Sequence, residues 1–215
     1  MAKINKKSIK KILDTLGSLY PFDFKCFLDY NEPWQLLVAT ILSAQCTDLR
    51  VNSVTKELFP KYPSLSDLAQ ADFDTLSKDI RSTGFFRMKA KHIIESAQIL
   101  LRDYNGQLPS DIEALTALPG VGRKTANVVR GHIFRIPSIV VDTHVKRVSY
   151  RLGLTRHTDP VKIEYDLMKI LPEKHWIAYN QQVITHGREV CTARKPNCAK
   201  CALAPYCLTY QPSTV

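Results

Sequence analysis

Two groups of residues in this 215-residue chain have the types and spacing that chemistry requires. The first is Leu118–Val129, LPGVGRKTANVV, in which two glycines one residue apart are followed by Arg123 and Lys124 at the start of a predicted helix. A helix, a Gly-Val-Gly turn and a second helix together make a phosphate grip. Glycine reaches backbone angles barred to other residues and leaves nothing to block an approaching anion. The second helix offers unpaired N–H groups and the positive end of its dipole. Gly120, Val121, Gly122 and Arg123 are therefore candidate phosphate contacts. Lys124 has two readings on residue type alone. It is either another hand on a phosphate or a nucleophile, because a neutral lysine amine can form an imine with a carbon electrophile. A Walker-type loop does not fit, since it needs Gly directly before Lys-Thr and Arg123 intervenes.

The second group is Cys191, Cys198, Cys201 and Cys207, separated by six, two and five residues. Four thiolates in so short a loop can converge on one metal centre, either zinc or a [4Fe–4S] cluster. Arg188, Arg194, Lys195 and Lys200 lie in and beside the loop, giving it a cationic face. Cys26 and Cys46 stand apart and read as small core or elbow residues.

The composition agrees with an anionic partner. Lys and Arg outnumber Asp and Glu by 30 to 20, for a formal net charge of +10 and a pI near 9.3. A compact chain so basic favours a polyanion, nucleic acid first, because neutralising phosphates releases condensed counterions. No apolar run is long enough to span a membrane. The lysine-rich N-terminus lacks the apolar core of a secretory signal. The expectation is a cytoplasmic monomer with reduced thiols, whose clustered cysteines are metal ligands and not disulfides.

The elements that must position these residues all read as helix. Ile9, Ile12, Leu13 and Leu16 recur at helical spacing. Pro33 suits a first helical position, and Trp34–Ile41 is apolar on nearly every side, as in a buried helix. A polar elbow, Ser43–Asp48, leads into a helix carrying Val51, Val54 and Leu58 and ended by Pro60. Phe73, Leu76 and Ile80 form the next stripe, closed by Gly84. Ala90, Ile94, Ala97 and Leu101 form another, closed by Asn105-Gly106. Ser110 and Glu113 have the spacing of a capping box. Ser138–Val141 is an extended connector, after which Asp142 caps a helix bearing Val145, Val148 and Leu152. Asp159-Pro160 opens a helix with Ile163, Leu167 and Ile170, and Trp176, Tyr179 and Val183 mark the last one. The class is all-α, with two lobes sharing a cleft: residues 26–136 as a helical barrel containing the hairpin, and residues 1–25 plus 137–215 as a second lobe with the cysteine loop.

LPGVGRKTANVV, followed by VDTH at Val141–His144, resembles the active-site signature of the endonuclease III family, the bifunctional glycosylases of the helix-hairpin-helix superfamily. LLVATILSAQCTD (Leu36–Asp48) and GREVCTARKPNCAKCALAPYC (Gly187–Cys207) resemble two further family blocks, in family order and spacing. The resemblance implies double-stranded DNA with damaged bases or abasic sites as the partner. It implies Lys124 as nucleophile, Asp142 as its carboxylate partner, and a [4Fe–4S] cluster on the four cysteines. The reaction implied is loss of an oxidised pyrimidine through a lysine imine, then β-elimination 3′ to the abasic site. A mismatch or photoproduct glycosylase on the same scaffold is the alternative, and a non-catalytic DNA-binding module the more distant one.

A base within a stacked duplex is out of reach, so such an enzyme must extrude it. Gln45 matches the family's gap-filling glutamine. The adjoining wedge position, usually aliphatic after a glycine, is here Phe85 after Gly84, and a flat ring can stack between bases. One of Phe85 and Phe86 is the wedge and the other a core residue. Asp48 and His144 match motif positions near the pocket, where capping is their simpler account, and Ser43 is expected to touch the flipped nucleotide.

Overall fold

The computed structural model describes residues 5–210, and among these every regular element is helical. The chain divides into two compact units, Cys26–Ile136 and Met1–Lys25 with Pro137–Val215. Helix α1 (Lys6–Leu19) belongs to the second of these and buries the four apolar residues its periodicity marks out, Ile9, Ile12, Leu13 and Leu16. Asn5 caps it by accepting the N–H of Ser8.

The unit Cys26–Ile136 contains α2 (Pro33–Leu42), α3 (Asp48–Lys61), α4 (Leu65–Ala69), α5 (Phe73–Asp79), α6 (Phe86–Tyr104), α7 (Ile112–Thr116) and α8 (Arg123–Ile133). Helix α2 starts at Pro33, whose missing N–H costs nothing at a first helical position. Every residue from Gln35 to Leu42 is buried. It is the central rod of this unit, packed against α3, α6 and α8. Leucine, isoleucine or valine side chains so enclosed each contribute roughly 1.5–3 kcal/mol.

Three details differ from expectation. The cap of α7 is Asp111, which accepts the N–H of Ala114, and not Ser110; a carboxylate one residue nearer the helix takes the orphan donor. Helix α3 runs one residue past Pro60, to Lys61. The buried face of α6 is Lys89, Ala90, Ile93, Ser96, Ala97 and Leu100, so Ile93 and Leu100 replace Ile94 and Leu101 in the expected stripe, and Leu101 is 38% exposed.

The other unit adds α9 (Thr143–Arg151), α10 (Pro160–Ile170) and α11 (Trp176–Glu189) to α1. Asp142 and Asp159 cap α9 and α10 by accepting the N–H groups of Val145 and Lys162. Tyr179 of α11 is fully buried, its hydroxyl bonded to Ser149 of α9 at 2.8 Å. The extended connector Ser138–Val141 is secured by Asn180. That side chain donates to the Ser138 carbonyl and accepts the Val140 N–H, leaving neither group orphaned before α9 begins.

Candidate active site and cysteine loop

The hairpin forms as its sequence requires. After α7, the Val121 N–H closes on the Leu118 carbonyl, and Gly120 takes φ +76°, in the left-handed region that glycine tolerates. A side chain at Gly120 would meet the His92 ring of α6 at 2.8 Å, so the position is closed to other residues on two counts. Ser96, one turn further along α6, donates to the Pro119 carbonyl at 2.9 Å and steadies the turn from beneath. Gly122, by contrast, is exposed, with open space where a Cβ would sit. It caps α8 without a side-chain bond, and no acidic residue stands in the first turn. An anion can thus reach the positive end of α8. Arg123 and Lys124 are the first two residues of that helix, and Lys124 is exposed. Val121 points the other way, into the unit's core.

Gly120→Ala is accordingly expected to destabilise the protein by about 1–3 kcal/mol, read as a lower thermal midpoint together with weakened DNA binding. Gly122→Ala, at φ −87° in open space, should leave stability nearly unchanged and act on binding alone.

Gln45 and Phe85 share an unusual conformation. Gln45 lies in the elbow between α2 and α3 at φ +54°, and Phe85 follows Gly84 at φ +48°. Both are exposed, Phe85 by 67%. Phe85 is the N-cap of α6 with no capping side-chain bond, while Phe86 packs against the core. An exposed aromatic ring on a left-handed backbone, at a cap position that favours small polar residues, gains nothing for the fold. Of the two phenylalanines, Phe85 is the one available as a wedge. Ser43 closes the end of α2, its hydroxyl donating to the Thr40 carbonyl. Asp48 opens α3.

Lys89 was not foreseen. Its ammonium is buried on the core face of α6 and donates to the carbonyls of Leu42 and Thr83 at 2.7 and 2.8 Å. Burial pushes its pKa below the ordinary lysine value. Its one sequence signal is a lysine in step with the apolar positions Ile93, Ala97 and Leu100.

Asp142, half-buried, spends Oδ1 on the α9 cap at 2.7 Å, which leaves Oδ2 for another task. Two residues on, the His144 ring packs where Gly187 of α11 leaves room, 2.9 Å from the position a Cβ would take. Its Nδ1 accepts from Arg147, so Nε2 carries the proton in the neutral ring. Burial holds its pKa low.

The four cysteines line one cavity of about 260 Å³ together with Arg151, Pro196 and Tyr210. Helix α9 holds the loop. Arg147 donates to the carbonyls of Cys191 and Gly187, and Arg151 donates to the Cys191 sulfur and to the carbonyls of Thr192 and Ala193. On the far side, buried His186 bridges Cys201 Sγ (3.5 Å) and the Tyr20 hydroxyl (3.2 Å). Among the described residues no three His, Cys, Asp or Glu side chains converge as ligands of a single ion. Arg188, Arg194, Lys195 and Lys200 are all exposed. Cys26 and Cys46, as expected, pack partly buried against the core of the other unit. The unit Cys26–Ile136 therefore carries Gln45, Phe85, the hairpin and Lys124; the other carries Asp142 and the cysteine loop.

Described elements that are all helical, an open Gly-Val-Gly hairpin and a lysine two residues beyond it together define a class. Residues 38–173 match the profile of the HhH-GPD superfamily of base excision DNA repair proteins. Over 209 residues the sequence is 52% identical to an endonuclease III of Synechocystis sp., covering 97% of this chain and 95% of the relative. It is 44% identical to the endonuclease III of Bacillus subtilis, covering 95% and 93%. A solved structure of a trapped endonuclease III–DNA covalent intermediate superposes with a TM-score of 0.90 at 44% identity, covering 95% and 96%. The chain belongs to the endonuclease III family, the bifunctional DNA glycosylase/AP lyases of base excision repair. A thermostable thymine-DNA glycosylase superposes with a TM-score of 0.83 at 25% identity, covering 95% and 97%.

Proposed function

We propose that the chain removes oxidised pyrimidines from double-stranded DNA and then cuts the strand 3′ to the abasic site, with Lys124 as nucleophile and Asp142 as its carboxylate partner. The observation that carries this reading is the exposed Lys124 in the first turn of the hairpin helix, two residues beyond the open space at Gly122. The neutral amine attacks C1′, the bond from C1′ to the base breaks, and the base leaves with the electron pair. Asp142 accepts the amine proton or stabilises the positive charge that develops on the sugar. Ring opening gives an imine, which acidifies the hydrogens on C2′. Loss of one of them breaks the C3′–O bond, and water then releases Lys124.

Gln45 and Phe85 fill the gap left by the extruded nucleotide. Gly120, Gly122 and Arg123 hold the phosphates, with Val121 packed behind them. Arg188, Arg194, Lys195 and Lys200 add a cationic surface for the backbone.

The four cysteines line one cavity, and their six-two-five spacing in a chain of this family supports an iron–sulfur cluster over zinc. Cys191, Cys198, Cys201 and Cys207 would hold a [4Fe–4S] cluster, which when bound supplies a rigid cross-link for the loop. Among the described residues no helix is long and apolar enough to cross a membrane. A cytoplasmic monomer, nucleoid-associated when bound to DNA, is the setting consistent with this activity.

Incubation with a duplex containing thymine glycol, followed by borohydride, should give a covalent adduct that maps to the peptide containing Lys124. The same preparation should be brown, with the broad visible absorption of thiolate-bound iron that zinc lacks. Release of free base without an adduct would show a glycosylase using water. Tight binding with neither product would remove the enzymatic reading of this lesion.

A further inference from the structure

The structure assigns to Lys89 a positioning role: its buried ammonium ties the elbow carrying Gln45 to the turn carrying Phe85, so that the two side chains enter the duplex as one fixed unit. This rests on the insertion of Gln45 and Phe85 proposed above. Lys89 is only 4% exposed, and its two bonds reach elements more than forty residues apart in the chain. Leu42 is the last residue of α2, three before Gln45. Thr83 ends the short 3₁₀ turn Arg81–Thr83, two before Phe85. Both accept through carbonyls at helix ends, which have no intrahelical partner and favour a cation.

The choice of lysine needs a reason beyond packing. Both bonds of this ammonium go to carbonyls and, among the described residues, none to a carboxylate, and a buried charge is costly where methionine could fill the same space. What an apolar side chain cannot do is hold two backbone segments at a set separation. That separation matters here because successive bases in a strand rise only about 3.4 Å, and a displacement near 1 Å can cost on the order of 10²-fold in rate. Both insertion residues also depend on left-handed backbone angles, which persist only when their surroundings over-determine them. The same face of α6 supports the hairpin through His92 and Ser96. One helix thus registers the insertion residues against the phosphate grip, with Lys89, His92 and Ser96 along a single stripe.

The test compares two substrates under single-turnover conditions. A duplex containing thymine glycol requires extrusion and gap filling. A single-stranded oligonucleotide with an abasic site requires neither, yet still reports on imine chemistry. Lys89→Met should lower the duplex rate by roughly ten-fold or more while changing the single-strand lyase rate by less than about two-fold, and Lys89→Arg, which keeps the charge and donors, should restore most of the duplex rate. If Lys89→Met does not fold, Lys89→Gln is put through the same comparison. An unchanged duplex rate, or an equal loss on both substrates, overturns the positioning role. Gln45→Ala and Phe85→Ala are measured alongside. If neither selectively slows the duplex reaction, insertion itself is wrong and the Lys89 proposal falls with it. If they do and Lys89→Met does not, only the Lys89 proposal fails.

Discussion

Lys124→Gln is expected to abolish the borohydride-trapped adduct and to lower base removal by at least about 10³-fold under single-turnover conditions, while leaving the protein folded and bound to DNA. Glutamine is close to lysine in length and helix propensity, and the position is exposed, so stability should shift by no more than about 0.5 kcal/mol. The phosphate grip of Gly120, Gly122 and the α8 N-terminus is untouched. The opposite reading of Lys124, as one more backbone contact, predicts a different pattern. Affinity would weaken, the salt slope of binding would fall by about one unit, and the rate at saturating enzyme would hold. Measuring rate and salt-dependent affinity on the same variant separates the two, because a nucleophile acts on the first and a phosphate contact on the second.

The hairpin was legible in the sequence because its chemistry is local: two glycines, a helix start and two cations within five residues leave few alternatives. Caps were legible for the same reason at Asp142 and Asp159, where one carboxylate stood in place. The cap of α7 was not, since Ser110 and Asp111 both qualify and only the backbone decides between them. The face of α6 was misjudged by one residue through Lys89. A charged residue at a core position pushes a periodicity reading toward the apolar neighbours Ile94 and Leu101, and the carbonyls that satisfy Lys89 belong to segments distant in sequence. The choice between Phe85 and Phe86 was likewise undecided by composition. It turns on a backbone angle at one residue, set by the Gly84 turn and the start of α6. The cysteine spacing marked the loop but by itself left its metal open, because four thiolates so spaced can hold either one zinc ion or a cluster.

Asp142→Asn offers the sharpest separation of structure from chemistry in this protein. Asp142 is the N-cap of α9, and its Oδ1 accepts the Val145 N–H at 2.7 Å. Asparagine is as good a cap as aspartate, because its side-chain oxygen accepts the same bond. Helix α9, and with it the Arg147 and Arg151 contacts that hold the cysteine loop, should therefore persist, with the thermal midpoint nearly unchanged. What the amide lacks is the charge and the ability to take a proton. If the carboxylate serves the attack of Lys124 on the sugar, base removal should fall by about 10²–10⁴-fold, with the trapped adduct reduced in step. Asp142→Ala should lose the same activity and in addition about 1 kcal/mol of stability, through the vacated cap. Were Asn to retain near wild-type rates while Ala lowered only the melting temperature, Asp142 would be a cap and nothing more. The two variants thus divide a single side chain by its atoms, Oδ1, which holds the helix, and Oδ2, which the proposed reaction requires.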